Sequence, residues 1–383
     1  MSRFLFVATA GAGGDLQPLV AAAFALRTRG HDIQLLGDRT VERAVAGLDM
    51  RVTTLPPELD PGPALIGAIR DAMSTTGGDL QAAGPIVQDK MHAWAEAVTR
   101  PVAEVVERDA PDAIVTSLFG VEVLDLVAPS RPWAVVNSTF YVGPNQPRPP
   151  EEDFGARAIP LIARFASLLG SADLVLHATD PVFDYSFDRL PEGHHYVGPL
   201  GIWEPLGPAP SYLDEPGDPW MLVSISSQMQ DDIPVAQAAV GALEGKPVRA
   251  VVTVGPGHDP SELEVGHTNV RVERVISHTA VLERGALLVS HAGHGSVMKA
   301  LWIGRPMVLI PWGRDQPGVA ARAAALGVAA VVPREHASAV TLSTAVDRAL
   351  ADEEMRSASV QHGSRLRSTD PPARAAELLE RLL

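Results

Sequence analysis

The chain has 383 residues, 46% of them hydrophobic and 20% charged; that length exceeds what one core usually holds and predicts two compact domains of about 150 to 200 residues each. The balance excludes disorder and fibrous folds. A formal net charge of −15, from 46 acidic and 31 basic side chains, argues against a nucleic-acid binder, and the absence of cysteine excludes disulfides, thiol catalysis and thiolate metal sites.

From the N-terminus, Phe4 to Val7 followed by Gly11, Gly13, Gly14 and Asp15 reads as a buried strand entering a glycine-rich turn rather than as an export signal. Short apolar runs then alternate with longer amphipathic ones, the pattern of parallel sheets with helical crossovers. Strands are predicted at 4–8, 33–36, 113–116, 133–137 and 174–177, then at 221–225, 250–254, 270–275, 287–290 and 307–310. Helices are predicted at 19–28, 95–107, 235–243, 297–303, 320–326 and 342–351. The fold class is therefore α/β, with two doubly wound Rossmann-like domains, and a cleft between them is the expected site. Asp60 to Met91, rich in Pro, Gly, Ala and Met, departs from the alternation; it reads as ordinary helix packing or as a helical flap over an acceptor. No apolar run approaches the roughly 20 residues of a membrane-spanning helix, so no stable membrane insertion is expected.

Seven prolines between Pro191 and Pro219, interspersed with Gly198, Gly201, Gly207 and Gly217, place an interdomain linker there. The predicted organisation is an N-terminal domain at 1–200, a linker at 201–218, a C-terminal domain at 219–370 and a final helix at 371–383.

The strongest local signal is His291-Ala292-Gly293-His294-Gly295-Ser296, between a predicted strand and a predicted helix. Free backbone amides, a favourable helix dipole and glycines that allow close approach make such a turn an anion site. Ser296 can cap the helix or donate its hydroxyl, and His291 can donate to a phosphate. Many α/β proteins nevertheless end a strand in a glycine turn for packing alone.

The segment from His291 to Arg322 resembles the donor-binding signature of nucleotide-sugar glycosyltransferases that decorate natural products, a GT-B family. It has the His-Gly turn, a helix ending in Gly304-x-Pro306, an apolar strand, then Asp315-Gln316 before another helix. The resemblance extends more weakly to Trp220–Ser227, to Val270–Leu282 as the nucleobase cradle, and to Pro372–Leu383 as a helix that crosses back to the N-terminal domain. It implies that His291 and the amides of Gly293, His294, Gly295 and Ser296 hold the diphosphate, and that Asp315 and Gln316 bind sugar hydroxyls. Gly14, Ser226 and Ser227 would lie beside the donor, and Val275 and Ile276 beside its base.

Gly14-Asp15-Leu16-Gln17-Pro18 resembles the family's Gly-Asp-x-x-Pro variant and makes Asp15 the candidate base, against the alternative that Asp15 merely caps the first helix. Met91, Trp94 and Phe140 are the candidate acceptor contacts. No Asp-x-Asp pair is present, so no metal is expected, and the only co-substrate implied is the nucleotide-diphosphate sugar. The resemblance thus implies a cytoplasmic, inverting O-glycosyltransferase, monomeric or homodimeric, using a TDP- or UDP-sugar on a small natural-product acceptor. Its alternatives are C-glycosyl transfer to a phenolic ring, a sugar-nucleotide epimerase, and a non-catalytic nucleotide-sugar-binding homologue that regulates a partner enzyme. Three positions depart from the family: Lys299 stands where a ribose-binding Glu is usual, Val275 where an aromatic ring is, and Ser226 where a glycine is.

Overall fold

A computed structural model describes residues 1–8, 14–60, 67–76, 80–143, 146, 164, 167–202, 204, 208–226 and 232–383. The chain divides into two compact units, Met1–Gly201 with Asp370–Leu383, and Ile202–Thr369.

Unit 1 comprises β1 (Arg3–Ala8), α1 (Leu16–Thr28), β2 (Asp32–Gly37), α2 (Arg39–Ala44), β3 (Arg51–Thr54), α3 (Gly67–Thr75), α4 (Leu80–Asp109), β4 (Ala113–Ser117), α5 (Val121–Val127), β5 (Trp133–Asn137), β6 (Leu174–His177) and β7 (His194–Tyr196). Its seven strands form one sheet in the order β3-β2-β1-β4-β5-β6-β7, every pair parallel. Parallel strands need helical crossovers, so both faces are covered and β1 is apolar on both sides: Phe4 and Phe6 join one core, Leu5 and Val7 the other.

Unit 2 comprises β8 (Trp220–Ser224), α6 (Ile233–Ala242), β9 (Arg249–Thr253), β10 (Val270–Glu273), α7 (His278–Arg284), β11 (Gly285–Ser290), α8 (His294–Ile303), β12 (Met307–Leu309), α9 (Gln316–Ala325), β13 (Ala329–Val331), α10 (Ala339–Ala351) and α11 (Glu353–Arg367). Its sheet, again parallel, runs β10-β9-β8-β11-β12-β13. The order reverses between β8 and β11, and the crevice at such a switch point is where open α/β sheets bind ligands.

The last helix, α12 (Pro371–Glu380), belongs to unit 1. Asp370 caps it by accepting from the Ala373 amide at 3.1 Å, and Ala375, Ala376, Leu378 and Leu379 enter the core beside Leu19 and Leu26 of α1. Each buried leucine contributes roughly 1.5–3 kcal/mol. Arg29 donates to Glu380 through two nitrogens at 2.8 and 2.7 Å. The stretch 201–218, expected to link the domains, lies with unit 2 from Ile202 onward. Leu213 is buried there, and its carbonyl accepts from the Trp220 indole at 3.1 Å.

A polar chain runs from Asn137 and His177, at the carboxyl ends of β5 and β6, to His194, the first residue of β7. Asn137 donates from Nδ2 to His177 Nδ1 at 2.9 Å, and the other nitrogen of His177 lies 3.1 Å from His194 Nδ1. Burial, aided by neighbouring histidines, holds His177 well below the ordinary imidazole range and His194 at about 4. Both are neutral in the fold, whereas the unfolded chain takes up their protons near pH 6.5. The His194 contribution is therefore complete above pH 6.5 and is lost as pH falls through about 4, and His177 acts in the same direction. The unfolding free energy of wild type from urea titrations is expected to drop across that window, by about 2 kcal/mol from His194 after allowing for solvent screening. His194→Gln is expected to flatten the slope; an unchanged slope would show that the imidazoles do not set it.

Candidate active site

In unit 2, β11 ends at Ser290 and α8 begins at His294, leaving His291 to Gly293 as the turn. Ala292 takes a left-handed φ of 66°, uncommon for a residue with a β-carbon and a place where backbone strain is stored. Gly293 is the N-cap and has no side chain with which to cap the first turn of α8. A β-carbon at Gly295 would meet nothing within 4 Å, which leaves that amide open to close approach.

His291 is buried at the strand end, and its Nδ1 lies 3.1 Å from the carbonyl of Ser224 at the end of β8. A carbonyl only accepts, so Nδ1 carries the proton. Burial holds the ring below the usual imidazole range; Nε2 is then a lone pair in the neutral ring. A β-carbon on Gly293 would fall 2.5 Å from that nitrogen, so Nε2 lies directly over the turn. The expectation that His291 donates to a phosphate therefore needs a proton first: Nε2 becomes a donor only when the ring is charged.

Ser296 faces sideways, its hydroxyl 3.4 Å from Nδ1 of His278, whose Nε2 lies 3.1 Å from the Thr253 hydroxyl. Burial pushes His278 down to about 4. One helical turn on, Lys299 is buried and paired with Glu204 at 2.9 Å. Glu204 also accepts from the Ser277 hydroxyl at 2.9 Å and the Thr279 amide at 3.1 Å. Burial alone would raise the Glu204 pKa; Lys299, His278 and these donors outweigh it and lower it. The cation that stands in place of the usual Glu thus brings a carboxylate with it, from a position that spacing along the chain does not reveal.

The loop before α9 carries the second cluster. Gln316 is buried, and its Oε1 accepts from the Trp312 and Gly313 amides at 2.9 and 3.0 Å, so this oxygen, expected to read a sugar, braces the loop. Arg314 takes a left-handed φ of 59°, and its Nη2 donates to the Ser226 hydroxyl at 3.0 Å. The Ser226 amide donates to buried Asp232 at 2.7 Å. Asp315 is the N-cap of α9 yet makes no side-chain cap. Ile276 is buried and Val275 is exposed just before α7. Ser227 lies outside the described residues.

In unit 1, Asp15 precedes α1 but makes no capping hydrogen bond. Its carboxylate instead accepts from the Ser138 hydroxyl and, at 3.4 Å, from the Phe119 amide, and the residue is 5% exposed. Gly14 beside it has open space where a β-carbon would stand. Of the expected acceptor contacts, Trp94 packs with Val98 and Val102 in the core and donates to the Leu59 carbonyl at 3.0 Å, and Phe140 exposes no surface. Met91 is half-buried on α4. Among the described residues no three His, Asp or Glu side chains gather as metal ligands would, and no helix is long and apolar enough to cross a membrane.

Residues 240–382 match a family described as "Erythromycin biosynthesis protein CIII-like, C-terminal domain". The 4'-demethylrebeccamycin synthase of Lentzea aerocolonigenes is 31% identical over 231 residues, 57% of this chain and 52% of that protein. The chain thus spans about half the length of that relative. The O-mycaminosyltylonolide 6-deoxyallosyltransferase of Streptomyces fradiae is 27% identical over 91% of this chain and 90% of its own length. The spinosyn rhamnosyltransferase SpnG complexed with thymidine diphosphate superposes with a TM-score of 0.73 at 18% identity, covering 99% of this chain and 100% of that one. At that identity the match shows the fold: two Rossmann-like parallel-sheet units of the GT-B kind. Homologues and structural neighbours of the chain include proteins named as glycosyltransferases, among them the calicheamicin glycosyltransferase CalG4 at 21% identity and a TM-score of 0.73.

Proposed function

We propose, from the premise of an EryCIII-like C-terminal unit, that the chain transfers a sugar from a thymidine or uridine diphosphate sugar to a hydroxyl of a small natural-product acceptor, with inversion and without a metal. The observation that carries this reading is the turn of α8 that begins at the N-cap Gly293, open at Gly295 and overlain by His291 Nε2. Backbone amides there stabilise charge as it develops on a leaving diphosphate, at no cost in reorganisation. The thymidine diphosphate held by SpnG favours that nucleotide.

In the transfer, the acceptor oxygen forms its bond to the anomeric carbon while the bond to the diphosphate oxygen breaks, the electron pair leaving with the phosphate. Asp15 takes the proton of the attacking hydroxyl. The Ser138 hydroxyl and the Phe119 amide donate to this carboxylate and orient it before the acceptor arrives.

The test is turnover of TDP- and UDP-sugars with a panel of hydroxylated aglycones, with and without chelator. Release of the nucleoside diphosphate, unchanged by chelator, with an inverted anomeric centre by NMR coupling is the expected result. Nucleotide binding with no turnover of any donor would instead support a regulatory homologue, and retention at the anomeric carbon would sink the single-displacement chemistry.

A further inference from the structure

We infer that Arg314 is the cation of the diphosphate site, the group that makes a donor turn workable in a chain of net charge −15. The inference rests on the donor reading above and adds a residue to it. Three observations converge on this side chain. The first is its backbone: Arg314 sits in the left-handed region, in a loop whose two preceding amides are both held by Gln316 Oε1. Residues held in sparsely populated conformations persist only where their surroundings over-determine them, and they cluster at ligand clamps.

The second observation is where the guanidinium goes. Nη2 reaches the hydroxyl of Ser226, two residues beyond Ser224, whose carbonyl holds His291. Since β8 and β11 are neighbours with Ser224 opposite Ser290, the guanidinium and the imidazole are brought to the same carboxyl ends of two adjacent strands.

The third is charge. The groups that act on His291 from the elements around it are the carboxylates of Asp232 and Asp315 and the guanidinium of Arg314. His291 itself is neutral, and Lys299 on α8 is matched by Glu204. Among the groups that act on His291, Asp232 and Asp315 are negative and Arg314 is the positive one that a diphosphate entering this turn would meet. Its planar fork suits phosphate oxygens.

Calorimetric titration of TDP into wild type, Arg314→Gln and Arg314→Lys, at two or more salt concentrations, separates the possibilities. Arg314→Gln keeps a donor for Ser226 but removes the charge; TDP binding is expected to weaken roughly 10- to 100-fold, with a shallower salt dependence than wild type. Arg314→Lys keeps the cation without the planar fork and is expected to lose less than Arg314→Gln and to keep the wild-type salt dependence. If Arg314→Gln binds as wild type does, or if it weakens binding with no change in salt dependence, or if Arg314→Lys loses as much as Arg314→Gln, the inference is overturned and Arg314 is a structural pin. If wild type binds neither TDP nor UDP, the donor reading itself fails and takes this inference with it.

Discussion

An Asp15→Asn variant is expected to fold and to bind nucleotide as wild type does while its turnover falls by about 10²- to 10⁴-fold, the range that a positioned general base supplies. The substitution is nearly isosteric: the amide oxygen can take the place of Oδ2 and accept from the Phe119 amide, while the amide nitrogen, in the place of Oδ1, can donate to the Ser138 hydroxyl. Asp15 makes no capping bond, so α1 loses no cap. What is lost is the ability to take a proton. Ser138→Ala, which removes one orienting donor and leaves the carboxylate, is expected to cost less than Asp15→Asn. If Asp15→Asn keeps more than about a tenth of wild-type turnover, another group takes the proton.

The second large effect belongs to the glycines of the donor turn, where two substitutions of the same size should act in opposite ways on stability. Gly293 has φ −61° and ψ 131°, a conformation open to alanine, so strain of the backbone is not the issue. Its β-carbon would meet His291 Nε2 at 2.5 Å, and the imidazole is held from behind by Ser224. Gly293→Ala must displace the ring or the turn, and is expected to destabilise unit 2 by about 1–3 kcal/mol and to abolish TDP binding. Gly295→Ala meets nothing in the protein. It lies inside α8 and should stabilise the helix by up to about 1 kcal/mol while weakening TDP binding, because the methyl occupies the approach to the amide. A Gly295→Ala variant that binds TDP like wild type would mean that the phosphate does not come to this turn.

The central strands were legible because they are buried on both faces: Phe4 to Ala8, Trp133 to Asn137 and Leu287 to Ser290 are apolar runs that only an interior parallel strand explains. β3, β7 and β13 escaped for the converse reason. They stand at or near sheet edges, reach only three or four residues, and carry Arg51, His194 and Ala329 where an interior strand would carry branched apolar side chains. The early turns of α4 were hidden by Gly84 and Pro85, whose local cost is overridden by the burial of Trp94, Val98 and Val102 further along the same helix. α11 was missed although its signals are present: Asp352 as cap, Glu353 and Glu354 in the first turn, Arg365 and Arg367 in the last.

At the candidate site, the turn at His291 and the loop at Asp315 could be read from short, contiguous patterns. The tautomer of His291, the conformation of Arg314 and the pairing of Lys299 with Glu204 could not, because each depends on a partner distant in sequence: Ser224, Ser226 and a residue of the Pro-rich stretch. Trp94, an aromatic residue near a variable segment, invites a ligand; its ring is buried and donates to the Leu59 carbonyl, a long-range bond that the sequence does not reveal.

The most direct measurement is calorimetric titration of wild type and His291→Ala with TDP and UDP, each with and without chelator. Binding of one nucleotide at micromolar affinity, unchanged by chelator and lost in His291→Ala, is the predicted result. Binding of neither nucleotide to the folded wild-type protein would contradict the assignment of the α8 turn as a diphosphate site, and the proposed glycosyl transfer with it.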